Sequence, residues 1–450
     1  MADSNTPGRG DGGAVPSASP IRQILALAGP TALVAFLQVA GQLVETWLAA
    51  RQGTAALAGW SVILPFSLAI QQMSTGAMGG GVVSAIARAL GAGRRDEAAA
   101  LVVHALLIAL AGGLVFTLVF ALFSRPLLAA IGGPVAAEAG ALYAALLFGL
   151  GAVPIWLTNT LASVLRGGGR HGLAARVLLA TWLVYPLLAW LFAEPLGLGL
   201  PGIGIGMALC FLGATLAMGW VVARGGAGFV PTLRVRPSRA MFHRILSVGL
   251  LACGLAVVAN LTTILVTARI AHHGAAAVAA YGIAARFEFL IIPIAFGVGS
   301  ALTALVGRHV GAGDWPGALR IAWSGGLMAL AVTGALGLAV ALAPARFAGF
   351  FTQDPAVIAL AGRALAYTGF AFGGFGLGMS LYFASQGAGR MGWPVVAGIA
   401  RIAIAVGGGW LLGDLLGMGL DGQFLAVALG ITAYGLATAA GVRPAVWRAR

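Results

Sequence analysis

Twelve long apolar segments restrict what this chain can fold into. A helix that crosses the hydrocarbon core of a bilayer needs about 20 mostly apolar residues. The strict alternation of a membrane β-strand is absent, and these runs are too long and too continuously apolar for strands. The sequence therefore predicts an all-α integral membrane protein with twelve transmembrane helices. The runs lie at 23–49, 56–87, 98–123, 138–163, 173–193, 202–223, 245–268, 277–307, 317–343, 357–384, 394–413 and 422–441.

The composition points to lipid as the main solvent. Hydrophobic residues make up 60% of the 450 residues and charged residues only 8%, whereas about a quarter of an ordinary soluble domain is charged. Such a chain lacks the polar surface to cover its core in water, so we expect a lipid bilayer around it. Residues 1–20, rich in Gly, Pro and Ser, predict a disordered tail before the first span.

The positive charge is distributed asymmetrically between the loops. All 26 basic residues are Arg, and the formal net charge is +14. With an N-terminus inside, the cytoplasmic connections and both tails hold most of them, because the opposite loops contain only Arg51, Arg125, Arg269 and Arg346. This asymmetry predicts a multi-pass protein of the inner (plasma) membrane with both termini in the cytoplasm, including a tail at 442–450.

The same observations exclude two other classes of function. No basic face lies on a soluble domain, so we expect no nucleic-acid partner. Without Lys, the chain cannot carry the lysine of a phosphate-binding P-loop, and no cluster of residues has metal-ligand spacing. We therefore expect no enzyme, no cofactor and no metal site.

The chain repeats itself at half its length. "ARALGAGRRDEA" at 87–98 recurs as "GRHVGAGDWPGA" at 307–318, and "RGGGRHG" at 166–172 recurs as "QGAGRMG" at 386–392, both at an offset of 220 residues. "GTAALAGW" and "GAAAVAAY" are 221 apart, as are Pro134 and Pro355. This register predicts two homologous six-helix lobes, 21–224 and 240–441, joined by a cytoplasmic linker at 225–239. Six is even, so the pseudo-twofold axis should run along the membrane normal.

These landmarks, in this order and spacing, resemble the multidrug and toxic compound extrusion (MATE) family over about 21–441. They resemble its DinF-like branch more than its NorM-like branch. The resemblance implies two bundles of six helices around a central cavity. It also implies export of drugs driven by inward flow of Na⁺ or H⁺.

Glu45 is the main candidate for coupling ion flow to export. An acid inside the bilayer is costly, so its presence in a span indicates a function. The family commonly has an Asp at this point of the first helix. The alternative is an acid that reaches the outer interface near Arg51. DinF-like members carry an Asn and an Asp-Pro in helix five, where this chain has Thr181 and Tyr185. Glu45 is then the single acid of the site, with Tyr185 and Thr181 as hydrogen-bond partners, and H⁺ is favoured over Na⁺, which needs several oxygen ligands.

A second polar site is predicted in the second lobe. Glu288 lies in a span together with Arg286, but residues two apart on a helix do not face each other, so each needs another partner. A structural clamp between helices and a cation site both remain open. Asn260 is the nearest polar residue where NorM-like members have an acid in helix seven.

Pro30 lies in the same span as Glu45. A proline inside a helix removes one backbone hydrogen bond and permits a bend. We therefore expect Pro30 to be the hinge that links the state of Glu45 to the shape of the helix.

Together these features predict a monomeric secondary exporter that moves small organic, amphipathic substrates by alternating access of its two lobes. A flippase of a lipid-linked or glycan intermediate is the alternative within transport. It would need cations in the cavity, for which Arg286, Arg363 and Arg401 are the candidates. A non-transporting scaffold or receptor is the alternative of another class, and the two intramembrane acids argue against it.

Overall fold

The computed structural model describes residues 19–232 and 234–447, and every regular element within them is helical. The helices of the first half, lobe 1, are α1 (Pro20–Arg51), α2 (Thr54–Gln72), α3 (Met78–Gly91), α4 (Arg95–Gly167), α5 (His171–Ala193) and α6 (Gly199–Ala223). Those of the second half, lobe 2, are α7 (Arg239–Ala271), α8 (Ala275–Gly311), α9 (Trp315–Leu342), α10 (Pro344–Ala348), α11 (Pro355–Ala388), α12 (Gly392–Ile402), α13 (Gly419–Gly441) and α14 (Pro444–Trp447). Wider π turns join α2 to α3 (Met73–Ala77) and follow α12 (Ala403–Gly408 and Trp410–Leu415).

The long helix α4 contains two membrane spans. Among the described residues, eleven helical stretches are long and apolar enough to cross a bilayer, and one of them is the 73-residue α4. It breaks at Gly133, whose φ of 79° and ψ of −179° suit a residue without a Cβ. The third and fourth apolar runs predicted a connection at 124–137. This prediction is wrong in detail, because the segment is helical on both sides of Gly133. Pro134 has no N–H to lose and begins the second half. The fold thus has twelve spans.

The outer surface of the helices is apolar. Large side chains such as Leu43, Leu122 and Leu216 are each about two thirds exposed to the outside of the protein. In water this would be unfavourable, but in a bilayer it places hydrocarbon against hydrocarbon. The predicted lobe limits, 21–224 and 240–441, remain predictions. The described residues of the linker at 225–239, which leave out residue 233, are irregular up to the start of α7. The outer parts of the two predicted tails, 1–18 and 448–450, lie outside the described residues.

The two lobes meet most closely where α3 ends in lobe 1 and α8 ends in lobe 2. A Cβ added to Gly91 would overlap the carbonyl oxygen of Arg308, and a Cβ added to Gly311 would overlap that of Arg88. The two contacts mirror each other, as expected when Gly91 corresponds to Gly311 and Arg88 to Arg308 at an offset of 220 residues. Ser84 also donates a hydrogen bond across the lobes to the Gln386 carbonyl at 2.5 Å. We call this side of the molecule the Arg-rich end.

Replacement of Gly91 by alanine tests this contact. The added methyl meets backbone, which cannot move aside as a side chain would, and overpacking of this kind costs about 1–3 kcal/mol. We expect Gly91→Ala to lower the melting temperature of the purified protein by several degrees. Gly172→Ala is the matched control, because a Cβ there meets no atom within 4 Å. Equal melting temperatures for the two variants would mean that the lobes do not meet at Gly91.

Candidate functional site

Glu45 is buried in lobe 1 and accepts two hydrogen bonds. Its side chain is 5% exposed. The Glu45 Oε1 atom accepts the indole N–H of Trp60 at 2.9 Å and the hydroxyl of Tyr143 at 2.7 Å. Since the three residues belong to α1, α2 and α4, the carboxylate joins three helices. Hydrogen bonds of this charge-assisted kind are about twice as strong as neutral ones.

Glycines bring these three helices close enough for the contacts. A Cβ at Gly59, next to Trp60, would lie 2.8 Å from the backbone nitrogen of Gly140, so α2 and the second half of α4 touch through their backbones. Tyr143 follows Gly140 by almost one helical turn. On the other side, a Cβ at Gly41 would lie 3.0 Å from the ring of Trp182 on α5. Small residues of this kind are the usual means by which membrane helices approach closely.

Arg51, the nearest basic residue along α1, does not pair with Glu45. Its guanidinium donates to both carboxylate oxygens of Glu194, at 2.9 and 3.2 Å, and Gln52 adds a third bond to that carboxylate. The Arg51 guanidinium holds the pKa of the Glu194 carboxyl below its usual value. This pair therefore stays ionised at neutral pH and separates only when the pH falls to near the lowered pKa of Glu194. Because Arg51 is bound to Glu194, it is not a partner of Glu45.

The two predicted partners of Glu45 differ in their relation to it. Thr181 donates instead to the Val177 carbonyl of its own helix at 2.8 Å. Tyr185 is fully buried one turn further along α5, in edge contact with the Trp182 ring. Its hydroxyl lies close enough to the Glu45 carboxylate to interact with it, but it does not form a hydrogen bond of normal geometry with any described residue.

A small cavity lies beside Glu45. It measures about 20 Å³, enough for about one water molecule, and Ser67 and Gln71 line it. The polar contacts continue beyond the cavity. Asn159 donates to the Gln71 side chain at 3.1 Å and to the Ser74 hydroxyl at 2.8 Å. Ser74 lies in the π turn Met73–Ala77, a deviation that is often found at functional sites.

Sequence reasoning did not identify Trp60, Tyr143, Gln71 or Asn159. Trp60 had one signal, since it ends the repeated "GTAALAGW" and corresponds to Tyr281 in the second copy. The others had none, because an aromatic or amide residue in an apolar span is more often part of the packing than of a site.

Two tyrosine variants compare the hydroxyl that donates to Glu45, that of Tyr143, with that of Tyr185. Tyr143→Phe removes a donor to a buried carboxylate, which costs about 1.5–3 kcal/mol, so we expect a lower melting temperature. Tyr185→Phe removes a hydroxyl that lies near Glu45 without a hydrogen bond of normal geometry, and it should lower the melting temperature less than Tyr143→Phe does. Thermal unfolding of the two purified variants provides the measurement, and the opposite order would contradict the contacts around Glu45.

In lobe 2, Glu288 on α8 forms an ion pair with Arg401 on α12. The Arg401 guanidinium also lies over the rings of Phe375 and Tyr434, at 5.3 and 6.0 Å from their centroids. Arg286 points elsewhere and lies 5.9 Å from the Phe351 ring. Each of the two neighbours thus has its own partner on another part of the lobe.

Asn260 does not join this pair. Its amide donates to the Gln72 side chain at 3.2 Å and to the Ala256 carbonyl at 2.8 Å. Since Gln72 ends α2 and Asn260 lies on α7, this contact crosses between the lobes. The structure therefore separates the predicted second-lobe site into an ion pair within lobe 2 and a polar contact between the lobes.

Loss of the ion pair tests whether it is structural. Glu288→Gln leaves Arg401 without its carboxylate, and removal of one partner of a largely buried pair is destabilising. We expect a lower melting temperature and lower expression, with transport per folded molecule close to that of the wild type. A well-folded Glu288→Gln protein that transports nothing would instead assign Glu288 to the coupling machinery.

Two six-helix membrane lobes with an intramembrane acid in each are an architecture found in secondary transporters. The chain belongs to the MatE family, whose family model matches residues 30–191 and 252–411, once in each lobe. It is 28% identical over 314 residues to a probable multidrug resistance protein NorM of Geobacillus kaustophilus, an alignment that covers 63% of this chain and 67% of that protein.

Solved structures share the fold. A MOP superfamily transporter from Pyrococcus furiosus superposes with a TM-score of 0.88 at 22% identity, over 95% of this chain and 96% of the other. The MATE transporter VcmN of Vibrio cholerae, solved in a bent form, gives a TM-score of 0.86 at 20% identity, over 95% and 97%. The chain is thus a MATE-family membrane transporter, and its assignment to the DinF-like branch remains a prediction.

Proposed function

We propose that this protein exports small organic, amphipathic substrates in exchange for inward-moving protons, with Glu45 as the residue that carries the proton. Export of drugs is in keeping with the name of its Geobacillus relative, a probable multidrug resistance protein. The distribution of Arg favours an inner-membrane location with the Arg-rich end in the cytoplasm. The close contact of the lobes there corresponds to a transporter that is closed towards the cytoplasm.

One observation carries the proposal: α1 packs against both lobes, and Pro30 lies close to the point where its contacts change from lobe 2 to lobe 1. Before Pro30, Ile24 and Ala28 belong to a core cluster formed mainly by α8, α9 and α11 of lobe 2. After Pro30, Val34 and Leu48 belong to the core of lobe 1. A bend at Pro30 therefore changes how the lobe that holds Glu45 is joined to the other lobe.

The surroundings of Glu45 favour a proton over Na⁺. Its carboxylate faces two hydrogen-bond donors, the indole N–H of Trp60 and the hydroxyl of Tyr143. Na⁺ would need several oxygen ligands in their place. The described residues contain no group of three or more acidic, His or Cys side chains that could hold a metal ion. A single carboxyl that alternates between charged and neutral is sufficient for H⁺ coupling.

Protonation would change the contacts of Glu45 in a defined way. The neutral carboxyl is a weaker acceptor for Trp60 and Tyr143, and its own O–H becomes a donor that needs an acceptor. The hydroxyl of Tyr185, which lies close to the carboxylate without a normal hydrogen bond, can supply that acceptor after a small adjustment of α1 against α5. Because α1 continues past Pro30 into the lobe 2 core, such a shift biases the two lobes between two arrangements, as alternating access requires.

The flippase alternative has less support. Two of its three candidate cations already have carboxylate partners, since Arg401 pairs with Glu288 and Arg363 with Asp421. The third, Arg286, lies over the Phe351 ring. A scaffold or receptor would not need a buried carboxylate that, like that of Glu45, is held by neutral donors instead of a cation.

Transport in reconstituted vesicles tests the proposal. We expect Glu45→Gln to abolish export driven by an imposed pH gradient while a fluorescent organic cation still binds, because the side chain keeps its size but cannot carry a proton. Glu45→Asp should keep part of the activity. Glu138→Gln is the matched control, since it removes the same charge from an exposed position on α4. Wild-type export by Glu45→Gln would mean that the proton is carried elsewhere.

A further inference from the structure

A cavity of about 320 Å³ lies between the lobes at the Arg-rich end. Its volume is at the lower end of the range for small-molecule sites. The transport mechanism proposed above does not use it. Its walls come from both lobes: Ala85, Arg88 and Arg94 from lobe 1, and Arg244, Val310 and Gly311 from lobe 2.

The cavity carries an excess of positive charge. Glu97 is the carboxylate that pairs with its arginines, accepting from Arg94 at 2.8 Å and also bonding to Arg244. The cavity has three arginines, and Glu97 is the one carboxylate that pairs with them among the described residues. Two positive charges therefore remain without a carboxylate to balance them. A guanidinium group is well suited to a phosphate, because it presents a planar fork of N–H donors.

Arg88 has donors to spare, and its counterpart in the other lobe shows the difference. Arg308, 220 residues further on, donates to the Gly168 carbonyl at 2.9 Å. Arg88 is half-buried, and its one hydrogen bond to the described residues is a long one, 3.5 Å to the Arg244 carbonyl. Of the five N–H donors of its guanidinium, most are therefore unused. Both arginines pack against the corresponding glycine near the end of a helix, Arg88 against Gly389 and Arg308 against Gly169. They differ in that Arg308 donates to a carbonyl at normal length, whereas most N–H groups of Arg88 have no acceptor among the described residues.

Arg94 also departs from the repeat, and this departure also adds positive charge to the cavity. Its counterpart, Asp314, caps α9 by accepting the Gly317 N–H at 2.9 Å. The Gly317 N–H and His309 lower the pKa of the Asp314 carboxyl. Arg94 occupies the same position before α4 and makes no side-chain cap. A cation at a helix N-terminus is unfavourable, so lobe 1 gives up a cap and places a positive charge beside Arg88.

We propose that this cavity binds a phosphate-bearing anion, held by Arg88 and Arg94 of lobe 1 and Arg244 of lobe 2. The ligand bridges the two lobes, so it binds when the Arg-rich end is closed and stabilises that arrangement. Separation of the lobes during transport takes the three arginines apart and releases it. The anion thus acts as a removable tie between the lobes.

The phosphate group can come from two sources. Basic pockets between membrane helices on the cytoplasmic side bind anionic lipid headgroups, and a soluble phosphate compound presents the same chemistry. Both make the same contacts with the arginines. The two sources differ in whether the ligand is supplied from the bilayer or from water, and the experiment below separates them.

The full-length protein is tested by thermal unfolding in two arms. In detergent, inorganic phosphate is titrated against chloride at constant ionic strength. In nanodiscs, pure phosphatidylcholine is compared with phosphatidylcholine containing phosphatidylglycerol. We expect a rise in the melting temperature of at least about 2 °C in one arm or both. Arg88→Gln should abolish the rise. Arg95→Gln, which removes the same charge from an exposed neighbour outside the cavity, should keep it.

The outcomes separate the alternatives. A rise with phosphate in detergent assigns a soluble ligand, and a rise only with phosphatidylglycerol assigns a lipid headgroup. If Arg88→Gln does not fold, Arg94→Gln, whose side chain is more exposed, takes its place and should lose the rise in the same way. No rise in either arm, or the same rise in the cavity variants and in Arg95→Gln, would overturn the proposal.

The tie between the lobes has its own readout. Ser84 is fully buried at the contact between the lobes. In a protein whose two native cysteines are replaced by alanine, we expect the ligand identified above to slow the reaction of Ser84→Cys with a maleimide at least about threefold. The Arg88→Gln substitution should remove this protection. Protection that is unchanged by Arg88→Gln would contradict the bridging role.

Discussion

In a bilayer, a buried polar group without a partner is costly, and this constraint shapes the whole molecule. Many Thr and Ser side chains of the spans donate to a carbonyl of their own helix, and other polar side chains tie neighbouring helices together. Glu45 joins α1, α2 and α4, and Glu288 joins α8 to α12 through Arg401. Helices without such ties approach through glycine, as α3 and α8 do at the Arg-rich end.

The two lobes use this constraint differently. In lobe 2 the intramembrane acid has a cationic partner, so its charge is compensated in place. In lobe 1 the acid has only neutral donors, because Arg51 is taken by Glu194. A carboxylate stabilised by neutral donors is one that a proton can neutralise without leaving a cation unpaired. This difference between two homologous lobes makes Glu45, rather than Glu288, the candidate for coupling.

The twelve spans and the two lobes were predictable from the sequence, because the length of an apolar run and the register of a repeat are local properties. The role of Glu45 stays a prediction, for which the structure adds its burial and its hydrogen bonds. The break at Gly133 was placed too broadly, since a helix can resume directly at Pro134. The partners of Glu45 were missed because Trp60 and Tyr143 reach it only through the packing of α2 on α4 at Gly59. The difference between Arg88 and Arg308 was likewise invisible in the repeat, where both occupy the same position.

Proton movement that accompanies substrate movement tests the central claim most directly. Vesicles are loaded with substrate, given a luminal pH-sensitive dye and diluted into substrate-free buffer. We expect wild-type protein to acidify the lumen as substrate leaves, and Glu45→Gln protein to produce no acidification. Proton uptake by the Glu45→Gln variant at the wild-type rate, or substrate efflux from wild-type vesicles without any change in luminal pH, would contradict a proton carried by Glu45.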